Sequence, residues 1–332
     1  EPPPLLLKQA VGTLSCELIL WLPGPETGAR VLSLHEAING VGRLGPLNMH
    51  GGLGFPLKHR NPGETKRDFF QDTSADGLTP CYELVSAREK LDVQNAIGDL
   101  LNGRWTFQAA YVFPKGETRA PEKVDLPRPV LAESLTMTLA CRMLFGSFVA
   151  AMIDSVDSSF SAVGMDVYSK DWHKMHLYLR STGATRGFDA DIKSCDSTVH
   201  PTTCMAIVGL INQWYTDRGE TQFEFARARR ILMQNIIHCP MAFQGLMLQK
   251  TNGNATGFYL TTVINNMWLY LLIAMSWLHS VKDPAFAGLE QFNKHVRMKL
   301  FGDDMMVAVP EEVAHVFDGS QLVTFAASLG VE

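Results

Sequence analysis

Between Phe258 and Leu278 the sequence reads FYLTTVINNMWLYLLIAMSWL, 21 residues without a charge. No fold can leave such a run in water, and as a helix it is long enough to cross a bilayer. Asn265 and Asn266 interrupt its first third, and no basic cluster flanks it. A buried core helix is therefore the preferred reading, with a membrane span as the alternative. Covering such a helix takes further apolar chain. The 332 residues, 46% of them hydrophobic, are enough for one large lobe or two to three smaller ones.

The remaining bulk properties set limits. A net charge of −5 counts against a uniformly basic nucleic-acid binder, although local charge matters more than the total. Six cysteines without a CxxC pair favour a reduced, intracellular setting. The opening EPPPLLLKQAVGTLS lacks the basic start of a cleavable signal sequence. Internal repeats and low-complexity tracts are absent. The stretch PLKHRNPGETKRD, residues 56–68, reads as an exposed basic loop.

Two segments carry acidic residues in strand-like surroundings. In HVRMKLFGDDMMVAVP, Val296, Met298 and Leu300 alternate with His295, Arg297 and Lys299. That is the period of a strand with one buried face. Met305 to Val309 forms a second short apolar run, and Phe301-Gly302-Asp303-Asp304 between them reads as a tight hairpin turn. Upstream, Phe188, Ala190 and Ile192 alternate with Asp189, Asp191 and Lys193. Asp191 then ends a strand, and Asp196 opens the next element, followed by a helix beginning near Pro201.

Each cluster alone has an ordinary reading: a solvated turn for Asp303 and Asp304, a helix cap for Asp196. Together they allow carboxylates from separate segments to converge at a sheet rim. Mg²⁺ takes such oxygens together with those of a phosphate. Two ions about 3.5–4 Å apart can clamp the attacking and leaving oxygens of an in-line phosphoryl transfer. A third element, GNATGFYLTTVINNMW, places Thr261 and Asn265 at helical spacing on one face. Polar groups there need partners, either within the core or from a nucleotide sugar.

In order and spacing these elements resemble the palm of viral RNA-dependent RNA polymerases, particularly the picornavirus-like group. Asp191-x4-Asp196 is similar to the family's motif A. Thr256-Gly257-x3-Thr261-x3-Asn265 is similar to motif B, with Thr256 where Ser is usual. Phe301-Gly302-Asp303-Asp304 is similar to motif C, with Phe for the commoner Tyr. GGLGFP, Gly51 to Pro56, resembles the motif G loop bordering the template channel, with glycines in place of its polar residues. Residues 113–146 resemble the motif F region, with Lys115, Glu117, Arg119, Lys123 and Arg128 at its charged positions. QLVTFAASLGVE resembles the helix that opens motif D. The later motif D lysine, motif E and the thumb do not occur in the sequence, so a fragment of a longer polyprotein, inactive alone, is expected.

The resemblance, over residues 45–332, implies an α+β right-hand polymerase fold. Its antiparallel palm sheet is backed by helices, its fingers are mostly helical, and the thumb is absent. Residues 1–180 would be fingers and fingertips. Residues 181–332 would be palm, with a fingers insertion near 215–250. The implied activity is template-directed RNA synthesis in viral genome replication, with two Mg²⁺ as cofactor and Mn²⁺ as a substitute. Asp191, Asp303 and Asp304 would be catalytic and hold metal, Asp304 with the weaker claim to direct ligation. Asp196, Thr256, Gly257, Thr261 and Asn265 would bind nucleotide and ribose. Lys115, Arg119, Lys123 and Arg128 would bind triphosphate. Gly54, Phe55, Pro56, Lys66 and Arg67 would meet the template. RNA template and primer, nucleoside triphosphates, a protein primer and other viral replication proteins are the implied partners. Membrane association would be indirect, at replication complexes in the host cytoplasm. A reverse transcriptase-like polymerase and a non-catalytic or membrane-associated scaffold are the alternatives. A reverse transcriptase usually carries a bulky aromatic where Asp196 stands.

Overall fold

The computed structural model describes residues 1–22, 28–75, 80–106, 108–118 and 128–332. In it the charge-free run forms the helix Thr261–Ser280, and every residue from Val263 to Trp277 is buried. A second helix, Leu135–Asp154, is as long and more apolar; 83% of the most apolar window of each is buried inside the protein. Both meet the length and composition of a membrane span, and both are core helices here. The second was not legible as an apolar run because Thr136, Thr138, Arg142 and Ser147 interrupt it, each of them buried.

Two compact units divide the chain. The first comprises Glu1–Ala29, Ser147–Glu220 and Thr262–Glu332; the second comprises Arg30–Gly146 and Thr221–Thr261. This division does not coincide with a boundary at residue 180. The chain enters the second unit twice, so neither unit is continuous in sequence and no composition shift marks their limits.

Nine strands occur among the described residues: β1 (Phe70–Asp72), β2 (Tyr82–Leu84), β3 (Ala110–Pro114), β4 (Pro129–Ala132), β5 (Arg186–Asp191), β6 (Pro240–Phe243), β7 (Leu246–Gln249), β8 (Arg297–Phe301) and β9 (Asp304–Val309). The first unit holds an antiparallel sheet in the order β5-β9-β8. A chain of tilted and edge-on aromatic contacts ties it to the buried helix. Tyr270 meets Phe160 at 5.0 Å and Phe292 at 5.9 Å, Trp277 meets Phe292 at 5.9 Å and Phe317 at 5.2 Å, and Phe317 meets Phe188 on β5 at 6.2 Å. Such pairs add to the gain from burying their large rings.

Strand β8 departs from the one-faced pattern. His295 ends the helix Leu289–His295 rather than starting the strand. Lys299, on the face expected to be polar and open, is 5% exposed. Its ammonium donates to the carbonyls of Val156, Ser159 and Ser161 and sits 4.4 Å from the ring centre of Tyr178. Burial pulls its pKa down to about 8. Alternation alone cannot report a second covering layer, and a lysine stem packs well against apolar neighbours.

In the second unit β4-β3-β6-β7 form a mixed sheet in which β3 and β6 are parallel, and β1 pairs with β2. Ile38, Leu47, Met49, Leu53, Phe70 and Leu139 belong to its apolar core. The 56–68 stretch is more ordered than a loop: it contains the helix Leu57–Arg60 and a 3-10 turn, Lys66–Phe69, closed by a Thr65/Asp68 capping box. All six cysteines are free thiols.

Candidate active site

The acidic site is built by strand register. Asp191, the last residue of β5, lies directly opposite Asp304, the first residue of β9. Asp304 also pairs with Phe301 of β8, so only Gly302 and Asp303 span the hairpin. Gly302 adopts φ +69° while Asp303 keeps a negative φ. A glycine with positive φ at the first central position suits a type II′ turn, whose twist matches the flanking strands. Asp303 therefore stands at the tip of a turn whose strands are fixed by an extensive ladder.

All three carboxylates are exposed. Directly opposed residues have their Cβ atoms about 4.5–5.5 Å apart on one sheet face, and like charges so placed repel. Asp191 and Asp304 are such a pair, and a divalent cation would relieve their repulsion. The donors are hard carboxylate oxygens, the type that magnesium takes alongside water and phosphate oxygens. Among the described residues, no three acidic, histidine or cysteine side chains are already gathered at metal-binding distance. The donor chemistry fits a magnesium-type ion, and the side chains share one edge without closing on each other.

Cys195 reports how near the acids lie. Its thiol is pushed up to about 12, first by burial and then by the charges of Asp196, Asp303 and Asp191. Charges from the 191–196 segment and from the 302–303 turn thus both reach one buried sulfur. The chain reaches this arrangement through Ser194, held at φ +53° just before the short helix Cys195–Thr198. Sequence reading passed over Cys195.

Asp196 is joined to the buried helix. The Asn265 side-chain amide donates to its Oδ1 at 2.7 Å, and Trp268, one turn further on, donates to Thr198 Oγ1 at 3.2 Å. Asn265 is 3% exposed and Asp196 is half-buried. The two residues matched to ribose recognition are therefore in contact. Thr256, Gly257 and Thr261 belong to the second unit. Thr256 accepts the Leu131 N–H through its carbonyl, and Gly257 has φ +90°. Thr261 is committed locally: its hydroxyl donates to the Ala255 carbonyl at 2.6 Å, closing the loop before the helix. That proton is spent on the loop, so helical spacing with Asn265 does not by itself make Thr261 a donor to ribose.

Of the four cations matched to triphosphate, the structure brings two together. Lys115 and Arg128 face each other at the mouth of the β3–β4 hairpin, where the Lys115 N–H donates to the Arg128 carbonyl. Both lie beside Glu117, Lys115 at 3.0 Å and Arg128 at 3.9 Å, and both are substantially exposed. Arg119 and Lys123 lie outside the described residues.

The template-matched residues separate. Gly54 has φ +66°, and a Cβ there would meet the Glu133 carbonyl oxygen at 2.2 Å, so glycine is required on both counts. Phe55 and Pro56 line a cavity of about 440 Å³ with Arg60, Arg88 and Ser134. Arg67 is exposed. Lys66 instead is 8% exposed and turned inward, which corrects the expectation of an exposed basic loop at that position. Burial lowers its pKa, and the nearby Glu133 charge opposes that. Glu133 is itself buried, accepting from Thr138 Oγ1 at 3.0 Å, from Cys141 Sγ at 3.4 Å and from the Tyr259 N–H at 3.3 Å. Burial pushes its carboxyl up to about 7. Nothing in the sequence marks either this glutamate or Lys66 as internal.

A sequence model of the family described as viral RNA-dependent RNA polymerase matches residues 7–332. The chain is 28% identical over 318 residues to the genome polyprotein of Rice tungro spherical virus (strain A), covering 91% of this chain and 9% of that protein. It is 26% identical over 328 residues to the replicase polyprotein of Acute bee paralysis virus (strain Rothamsted), covering 94% of this chain and 16% of that protein. Among solved structures, a Sicinivirus 3Dpol RNA-dependent RNA polymerase superposes with a TM-score of 0.77 at 21% identity, over 99% of this chain and 62% of that one. The chain belongs to the viral RNA-dependent RNA polymerase family, within its picornavirus-like branch, and has that family's α+β right-hand fold. It spans less than two thirds of the length of these relatives. Enzymes of this family use divalent metal ions and act on RNA and nucleotides in general.

Proposed function

We propose that this chain serves template-directed synthesis of RNA in viral genome replication, by nucleotidyl transfer from nucleoside triphosphates to a primer 3′-end. The observation that carries the reading is the register setting Asp191 opposite Asp304, one residue from Asp303 at the turn. Asp191 and Asp303 are assigned to hold two Mg²⁺ ions, or Mn²⁺ in their place, with Asp304 in support. When bound, such ions acidify the ribose 3′-hydroxyl and stabilise the pyrophosphate leaving group.

The remaining roles follow from the chemistry of the side chains. Asp196 and Asn265 present an acceptor and an amide to the 2′-hydroxyl, the group that separates RNA from DNA precursors. Arg128 and Lys115 neutralise triphosphate charge, the guanidinium in bidentate fashion. Gly54, Phe55, Pro56 and Arg67 are assigned to the template strand. A protein primer, other viral replication proteins and a location at membrane-associated complexes in the host cytoplasm rest on family relationship alone. Positioning and charge stabilisation account for most of the rate in such transfers.

The test is primer extension with the full-length protein carrying this sequence. Asp303→Asn and Asp191→Asn should each lower incorporation by roughly 10²–10³-fold or more, the scale for removing preorganised charge stabilisation. Wild-type extension rates in both variants would remove Asp191 and Asp303 from catalysis.

A further inference from the structure

The side chain of Asn266 is completely buried in the helix Thr261–Ser280, next to Asn265 and turned another way. Its Oδ1 accepts the Gly302 N–H at 2.7 Å, and its Nδ2 donates to Ser161 Oγ at 3.0 Å. In a two-residue hairpin the closing pair, here Phe301 and Asp304, consumes the ladder bonds. The N–H of Gly302 is outside that ladder and needs an acceptor elsewhere. Asn266 supplies it from the core.

The other end of the amide is equally fixed. Ser161 is fully buried and bridges in parallel to Leu300 of β8. The neighbouring backbone bonds run from Leu300 N–H to the Phe160 carbonyl and from Ala162 N–H to the Leu300 carbonyl, both at 2.9 Å. The Ser161 carbonyl accepts from Lys299, and its Oγ accepts from the Val163 N–H at 3.1 Å. One amide therefore links the turn that bears Asp303 to a segment locked along the strand leading into that turn. Packing alone would call for an apolar side chain at this fully buried position, since a buried amide costs free energy unless each end is paired.

We propose that Asn266 is a positioning residue for the acidic turn: by anchoring the Gly302 N–H it fixes where Asp303 stands. This rests on the reading of Asp303 as a metal-holding group. A group misplaced by about 1 Å can cost about 10²-fold in rate. Residues that orient a metal's own ligands typically change metal affinity or activity about 10–100-fold.

The experiment uses the full-length protein with Asn266→Ala, Asn266→Asp and Ser161→Ala. Two readouts are taken: backbone amide exchange at Gly302, and the Mg²⁺ concentration giving half-maximal incorporation. Asn266→Ala should deprotect the Gly302 amide, raise the half-saturating Mg²⁺ about tenfold and lower kcat, leaving the ribo-to-deoxynucleotide preference within about twofold. Asn266→Asp keeps an acceptor for Gly302, and Ser161 can reverse its hydroxyl toward it, so protection should return. Ser161→Ala, which spares the helix, should shift both readouts in the same direction by less. A purely structural role would lower the active fraction and leave the Mg²⁺ half-saturation unchanged. That result, or a Gly302 amide that exchanges alike in wild type and Asn266→Ala, overturns the proposal. A wild-type protein that incorporates no nucleotide overturns the proposed function instead, and the amide exchange still decides the tether.

Discussion

Asn265 donates its side-chain amide to the Asp196 carboxylate across 2.7 Å, joining residues 69 positions apart in the sequence. The contact fixes the acid's orientation from a fully formed core helix. A site built to hydrogen-bond a hydroxyl rejects the analogue lacking it, because its polar groups are then left unpaired.

Sugar selection should therefore relax when this pair is broken. Asn265→Ala or Asp196→Ala is expected to shrink the ratio of kcat/KM for ribo- over 2′-deoxynucleotides roughly ten- to hundredfold, matching a lost hydrogen bond to a charged group. Steady-state incorporation of each triphosphate measures it. An unaltered ratio would place ribose recognition elsewhere.

Glu133 should impose a pH slope on stability. Its carboxyl titrates near 4.5 in the unfolded chain and near 7 when buried. Between those values the folded state binds more protons than the unfolded one, so stability falls as pH rises and levels off above about 7. Glu133→Gln removes that slope. Relative to wild type it should gain stability from about pH 4.5 to 7.5, by at most about 3 kcal/mol for the full shift. Urea unfolding at both ends of the range checks this, and a pH-independent difference would mean that Glu133 ionises like an exposed carboxyl.

Lys299 should behave as a structural cation. Replacing it by methionine keeps the apolar stem and leaves the Val156, Ser159 and Ser161 carbonyls without their donor. The expected cost is about 2–4 kcal/mol, the price of several unsatisfied buried acceptors offset in part by relief of a buried charge. Chemical denaturation of Lys299→Met measures it; a variant as stable as wild type would show that the three carbonyls find water instead.

The sequence by itself determined the elements whose cause is local. A long uncharged run has to be buried, so a core helix was legible. Alternating residues around Phe301-Gly302-Asp303-Asp304 prescribed a hairpin, because side chains alternate across a strand and glycine tolerates the turn. Asp191, Asp196, Asp303 and Asn265 were visible through their spacing. What only the tertiary structure decided depends on which distant segments cover one another. Layering buried Lys299 on a face that alternation marks as polar, and packing turned Lys66 inward, within reach of the Glu133 charge. The interleaved path of the two units escaped any boundary drawn along the chain. The anchor from Asn266 to Gly302 needed the helix and the hairpin to meet. Periodicity records the direction of each side chain relative to its own backbone, while burial and hydrogen bonding are set by neighbours that no local pattern names.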